Sequence, residues 1–99
     1  MAMEDLKAFN PYLERKGGDL LLEGVSLSDL AREFGTPLYV YSATYIRDRI
    51  RAYREAFPGA LICYAVKANF NPEIIRVASE EGAGADIVSG GELICALKG

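Results

Sequence analysis

The sequence predicts an α/β fold built on a parallel sheet, and two observations carry the prediction. From Leu38 onward, β-forming and helical segments alternate in the order β-α-β-α-β-α. Each βα unit takes about 25 residues, the spacing expected of right-handed crossovers between parallel strands. In addition, residues 60–66 read Ala-Leu-Ile-Cys-Tyr-Ala-Val, an unbroken apolar run. A strand buried on both faces shows such a run, and strands of that kind belong to parallel sheets.

The elements follow in order. Tyr12–Arg15 and Asp19–Glu23 flank Gly17-Gly18, which predicts a hairpin around a two-glycine turn. A lone hairpin is marginal in water, so it must pack on something else. Ser26-x-x-Asp29 resembles a capping box, and Leu27, Leu30, Ala31 and Phe34 fall on one helical face. Gly35 and Pro37 end that helix. Leu38–Tyr41 is rich in β-formers and predicts a strand. Ser42 caps the next helix, where Ile46, Ile50, Tyr53 and Phe57 form a stripe closed by Pro58-Gly59. Its Arg47, Arg51 and Arg54 read as a solvated face, with Arg51 able to pair with Glu55.

After the Ala60–Val66 strand, Asn71-Pro72 opens a helix as cap and first residue. Ile74, Ile75 and Ala78 face inward on it, and Gly82 closes it. Ala85–Val88 reads as a strand, and Gly90-Gly91-Glu92 leads into a helix over Leu93–Lys98. Three such units do not close a (β/α)8 barrel, which takes about 250 residues. The 99 residues are therefore expected to be part of a longer α/β protein.

Composition narrows the function classes. The chain is 51% hydrophobic and 25% charged, which excludes a disordered tail. No run approaches the roughly 20 apolar residues of a membrane span, and the acidic start lacks the apolar core of a secretory signal. With 14 acidic and 11 basic residues, the balance argues against a nucleic-acid binder. Cys63 and Cys95 have no zinc spacing and sit in apolar surroundings, where a thiol acts as a small hydrophobe. There is no histidine, so no imidazole base or ligand comes from these residues.

Two positions are candidates for chemistry. Lys67 is the only charge between Ala60 and Asn69 and follows the apolar strand directly. Functional groups of parallel α/β folds gather at the carboxyl ends of strands. A partly desolvated lysine there has its ammonium form disfavoured, which frees the amine for Schiff-base chemistry. The alternative is a strand-end lysine that snorkels into water. Asp86, near the same end of the next strand, is close enough to reach that lysine or a cofactor on it, since neighbouring strands lie about 4.8 Å apart. A turn-side aspartate or a structural salt bridge explains it equally. Gly82-Ala83-Gly84 precedes a strand and lacks a third glycine, so it is no dinucleotide fingerprint. Ser89-Gly90-Gly91-Glu92 lies between strand and helix, where backbone amides can hold an anion or where glycine serves a tight turn at positive φ.

Three stretches together resemble the N-terminal part of the diaminopimelate decarboxylase family. They are Gly35-Thr36-Pro37-Leu38-Tyr39-Val40-Tyr41, Tyr64-Ala65-Val66-Lys67-Ala68-Asn69, and Gly84 through Leu93, Gly-Ala-Asp-Ile-Val-Ser-Gly-Gly-Glu-Leu. The resemblance covers about Tyr12 to Gly99. It implies the opening of a pyridoxal-phosphate-binding (β/α)8 TIM barrel over residues 36–99. Residues 1–35 would join a separate β-domain. The implied reaction is decarboxylation of meso-diaminopimelate to L-lysine and carbon dioxide, the last step of lysine biosynthesis, in a cytoplasmic homodimer with a shared active site. Lys67 would carry pyridoxal 5'-phosphate through a Schiff base, and Asp86 would line the cofactor pocket. The cofactor acts as an electron sink for the carbanion left when carbon dioxide departs. The family's ring-stacking histidine, its phosphate-binding glycine loop, the glutamate on its pyridine nitrogen and the cysteine from the partner chain lie outside these residues. The piece alone is therefore expected neither to bind the cofactor tightly nor to decarboxylate. Alternatives are a related enzyme acting on ornithine, arginine or carboxynorspermidine, and a non-catalytic pyridoxal-phosphate module.

Overall fold

The computed structural model describes residues 3–99 of the chain. It is an α/β structure that divides into two compact units, one up to Tyr45 and one over Ile46–Gly99.

The first unit begins with helix α1 (Met3–Phe9), followed by strands β1 (Leu13–Lys16), β2 (Asp19–Leu22) and β3 (Val25–Ser26) and by helix α2 (Leu27–Phe34). The strands form one antiparallel sheet in sequence order. The expected hairpin is present: Lys16 pairs with Asp19 and Leu13 with Leu22, across a turn with Gly17 at φ 56° and Gly18 at φ 80°. Two successive positive-φ residues match the twist of the flanking strands, which is why glycine occupies both. The third strand adds Val25 opposite Leu22 and was not foreseen, being only two residues long. Ser26 ends β3 and caps α2, its hydroxyl accepting the Asp29 N–H at 3.1 Å. Among the described residues, Leu6 and Leu22 are the buried apolar side chains of this unit.

Leu38–Tyr41 corrects the sequence reading. The segment pairs with no strand among the described residues, and Tyr39 is 85% exposed. Propensity alone does not make a strand; a hydrogen-bonding neighbour does. Helix α1 is a second difference, since the first 25 residues gave no helical signal beyond scattered apolar positions.

Helix α3 (Ala43–Ala56) is capped by Ser42, whose hydroxyl accepts the Tyr45 N–H at 3.1 Å. In the second unit, strand β4 (Cys63–Ala65) runs straight into a 3₁₀ turn at Val66–Ala68. Helix α4 (Pro72–Glu80), strand β5 (Gly84–Asp86) and helix α5 (Gly90–Lys98) complete it. Strands β4 and β5 pair in parallel, with Tyr64 level with Ala85 and Ala65 level with Asp86. This is the predicted parallel arrangement, with α4 as the crossover. Asn71 caps α4 as expected, accepting the Glu73 N–H at 2.9 Å, and Pro72 follows it. Ile75, Val77 and Ala78 of α4 are buried, while Val66 is wholly so.

On α3, Arg51 and Arg54 are exposed as expected of a solvated face, but Arg47 and Arg51 also take partners the sequence did not indicate. Arg51 makes two 2.8 Å bonds to the Glu81 carboxylate just past α4, and Arg47 reaches Glu80 at 2.6 Å and Glu81 at 3.3 Å. Glu81 is 9% exposed. The expected Arg51–Glu55 partnership gives way because a planar guanidinium fits a carboxylate bidentately across helices. The Arg51 hydrogen bonds hold the Glu81 carboxyl below its ordinary value of 4.5, with Arg47 adding to the effect. Both cysteines are free thiols.

Candidate active site

Side chains alternate along a strand, so register decides what each face carries. Tyr64 and Ala85 lie on the face that meets Ile75 and Ala78 of α4 and Ala96 of α5, around a small shared cavity. Ala65 and Asp86 stand level with one another on the opposite face. Asp86 is exposed there.

Lys67 follows β4 by two residues, at the centre of the 3₁₀ turn. The turn exists because the chain must leave the strand while burying Val66, which is 0% exposed. Asn69 closes it by donating its N–H to the Val66 carbonyl at 3.1 Å. Lys67 is exposed and has neither hydrogen bond nor ion pair among the described residues. It lines an open cavity of about 450 Å³ with Phe70 and with Ser89, Gly91, Glu92 and Cys95 from the start of α5. Phe70 is itself 65% exposed, an apolar ring at the edge of the cavity.

Ser89 caps α5, so the helix begins at Gly90, three residues before the expected Leu93. Ser89 Oγ accepts the Glu92 N–H at 3.1 Å and donates to Glu92 Oε2 at 3.0 Å. Glu92 Oε1 is the one buried side-chain oxygen or nitrogen without a hydrogen-bond partner among the described residues. A buried unpaired carboxylate oxygen is costly unless something else meets it. Gly90 and Gly91 do not have positive φ, so the tight-turn explanation for them fails. A Cβ at Gly90 would meet nothing within 4 Å, and one at Gly91 only the Ser89 hydroxyl at 3.9 Å. The helix start is therefore bare beside the cavity.

The structure brings Lys67 together with the Ser89–Glu92 segment and leaves Asp86 out of that cavity. Glu92 was not singled out from the sequence as a functional side chain. The signal was available in Ser89-x-x-Glu92, a capping-box spacing that fixes the glutamate's backbone but does not say where its second oxygen lies. No group of three or more potential metal ligands occurs among the described residues. What does occur is an unpaired primary amine at a strand end, a carboxylate with a free acceptor, and backbone left open by glycine. These donors suit an aldehyde cofactor: the amine supplies the nucleophile, and the acceptor suits a cationic nitrogen formed from it.

Comparison with known proteins agrees with this chemistry. Residues 43–99 match the family described as pyridoxal-dependent decarboxylase, pyridoxal binding domain. A diaminopimelate decarboxylase of Aquifex aeolicus is 66% identical over 96 residues, covering 97% of this chain and 23% of the relative. One from Pseudomonas fluorescens is 51% identical over 80 residues, covering 79% of this chain and 19% of the relative. The chain thus spans about a fifth of the length of these relatives. Among solved structures, an Aquifex aeolicus protein superposes with a TM-score of 0.91 at 66% identity, over 94% of this chain and 23% of that one. Diaminopimelate decarboxylase from M. jannaschii in complex with L-lysine superposes at 0.83 with 42% identity, over 90% and 23%. With residues 43–99, more than half of the chain, inside that domain, the chain belongs to the pyridoxal-dependent decarboxylases, within their pyridoxal-binding domain.

Proposed function

We infer that the full-length protein decarboxylates meso-diaminopimelate to L-lysine and carbon dioxide, with Lys67 as the cofactor-bearing lysine. The observation that carries this is the unpaired Lys67 amine at the end of β4, beside the open start of α5, in a domain 66% identical to a diaminopimelate decarboxylase. Bound pyridoxal 5'-phosphate would supply an aldehyde for the amine and a ring that takes up the electron pair left on carbon when carbon dioxide departs.

This chain's own residues do the rest. The Lys67 amine would hold the cofactor and, from the same place at the edge of the cavity, would carry a proton to and from the reacting carbon. Glu92 contributes a carboxylate oxygen to the same cavity. The carboxylate's negative charge favours a positively charged nitrogen there. Asp86, on the bare face of the parallel pair, lines the cofactor's surroundings once further strands join β4 and β5. Residues 36–99 open a (β/α)8 barrel and residues 1–35 belong with a separate β-domain. The working enzyme is a cytoplasmic homodimer that shares its active sites.

The test is an assay of the full-length protein with meso-diaminopimelate, ornithine, arginine and carboxynorspermidine, together with borohydride reduction and peptide mass analysis. Carbon dioxide release from diaminopimelate and a reduced pyridoxyl adduct on Lys67 are expected. Preference for another amine overturns the substrate. An adduct on a different lysine overturns the site.

A further inference from the structure

Lys67 is exposed and unpaired, yet a lysine that must meet one carbonyl carbon needs a fixed starting point. The turn that carries it is short and is closed by a single backbone bond, from the Asn69 N–H to the Val66 carbonyl. A three-residue 3₁₀ turn has weak hydrogen-bond geometry and does not hold itself rigid. Two further attachments bracket it. On one side, the Val66 side chain is wholly buried. On the other, the Tyr64 hydroxyl donates to the Asn69 carbonyl at 2.8 Å, reaching over the turn from the strand that precedes it. The Tyr64 ring lies on the helix-covered face of β4, bordering the cavity formed with Ile75, Ala78 and Ala96. The ring that carries the hydroxyl is half-buried there, on the side where α4 and α5 lie. Asn69 is tied onward as well, its Oδ1 accepting the Asn71 N–H at 3.0 Å at the cap of α4.

We propose that the Tyr64 hydroxyl is a positioning group for Lys67: it clamps the far end of the lysine turn and so fixes the direction from which the amine meets a carbonyl. The inference rests on Lys67 being the cofactor lysine and adds a residue that touches neither cofactor nor substrate. It predicts a separation between two kinds of reactivity. Attack on a bulky, docked aldehyde depends on where the amine points, whereas attack on a small diffusing reagent depends on its protonation and access.

The experiment uses the full-length protein freed of cofactor, as wild type and as Tyr64→Phe. In one arm, pyridoxal 5'-phosphate is added and the reaction is quenched with borohydride at timed intervals. The Lys67 amine adds to the aldehyde carbon and water leaves; hydride from borohydride then goes to the imine carbon and a proton to the nitrogen, leaving a stable secondary amine. In the other arm, trinitrobenzenesulfonate labels the amine. The Lys67 pyridoxyl adduct is expected to form roughly three- to tenfold more slowly in Y64F, the range set by the net worth of one hydrogen bond, with Lys67 trinitrophenylation unchanged. Tyr64→4-aminophenylalanine, which restores a donor, is expected to recover the rate. An unchanged adduct rate, or an equal fall with both reagents, overturns the proposal. If Y64F does not fold, 4-fluorophenylalanine against 4-aminophenylalanine at position 64 gives the same comparison. A wild-type protein with no Lys67 adduct overturns the functional reading and this inference with it; a normal wild-type adduct that Y64F leaves untouched overturns this inference alone.

Discussion

The two units of the chain are held together in different ways. In the unit up to Tyr45, bonds are made between near neighbours in sequence. β1 and β2 pair across a two-residue turn, and Asp19 accepts hydrogen bonds from Ser26 and Ser28. In the unit from Ile46 onward, the decisive bonds join distant residues. Cys63 pairs with Gly84 across the α4 crossover, and Arg47 and Arg51 of α3 meet Glu80 and Glu81. Antiparallel neighbours can be joined by a tight turn, whereas parallel neighbours need a crossover helix. That difference gathers the candidate site residues in the second unit. Only a crossover brings the ends of two strands, Lys67 and Ser89 with Glu92, to the same edge.

Substitutions can break or sharpen the contrast. The largest effect is expected for Lys67→Ala in the full-length protein. Activity should fall by about a thousandfold or more, as when a nucleophilic group is removed outright, and the borohydride-trapped adduct should vanish. Because Lys67 is exposed and unpaired, thermal stability should change by no more than about 0.5 kcal/mol. A comparable loss of stability would mean that the lysine is structural.

Next comes Val66→Ala. It empties a wholly buried site beneath the lysine turn and should cost about 2 kcal/mol in urea unfolding. It should also slow adduct formation at Lys67, since the turn loses its buried end. In the first unit, Ser26→Ala removes a helix cap and should cost about 1 kcal/mol, with no change at Lys67. A change in Lys67 reactivity there would show that the units are coupled.

The smallest and most diagnostic effect is electrostatic. Asp19 is held below its ordinary 3.8, first by the Ser26 and Ser28 hydroxyls, whereas Glu81 is held below 4.5, first by Arg51. A carboxylate with a lowered folded value contributes stability that is complete above its unfolded value and is lost as pH falls through the folded one. Both contributions should therefore be intact above about pH 4.5 and fade in more acidic solution. Salt separates them. In NMR titrations, added salt should move Glu81 up towards 4.5 and leave Asp19 nearly fixed, because ion pairs are screened and bonds from neutral hydroxyls are not.

Much of this was legible in the residues. Gly17-Gly18, Ser26 and Asn71-Pro72 each carry their own conformational instruction, a positive φ or a cap, and each is found where expected. The apolar run before Lys67 announced a parallel strand, and Lys67 stands at its end. Glu92 and Tyr64 were not legible as site residues. Each is singled out by a neighbour that does not lie beside it in sequence, the cavity shared with Lys67 for one and the Asn69 carbonyl beyond the turn for the other. Leu38–Tyr41 erred in the opposite sense, since its β-propensity was plain but no partner strand meets it among the described residues.

The sequence by itself determined the Gly17-Gly18 turn, the caps at Ser26, Ser42 and Asn71, the parallel strand–helix–strand unit around α4, and the lysine after a strand end. These are decided by φ preferences and by hydrogen bonds within a few residues, which a chain carries locally. Only the tertiary structure decided that Arg47 and Arg51 of α3 clamp Glu81, and that Glu92 lines a cavity with Lys67 that Asp86 does not border. Register and crossover set those relations. Both are properties of two segments brought together, and neither is written in one segment alone.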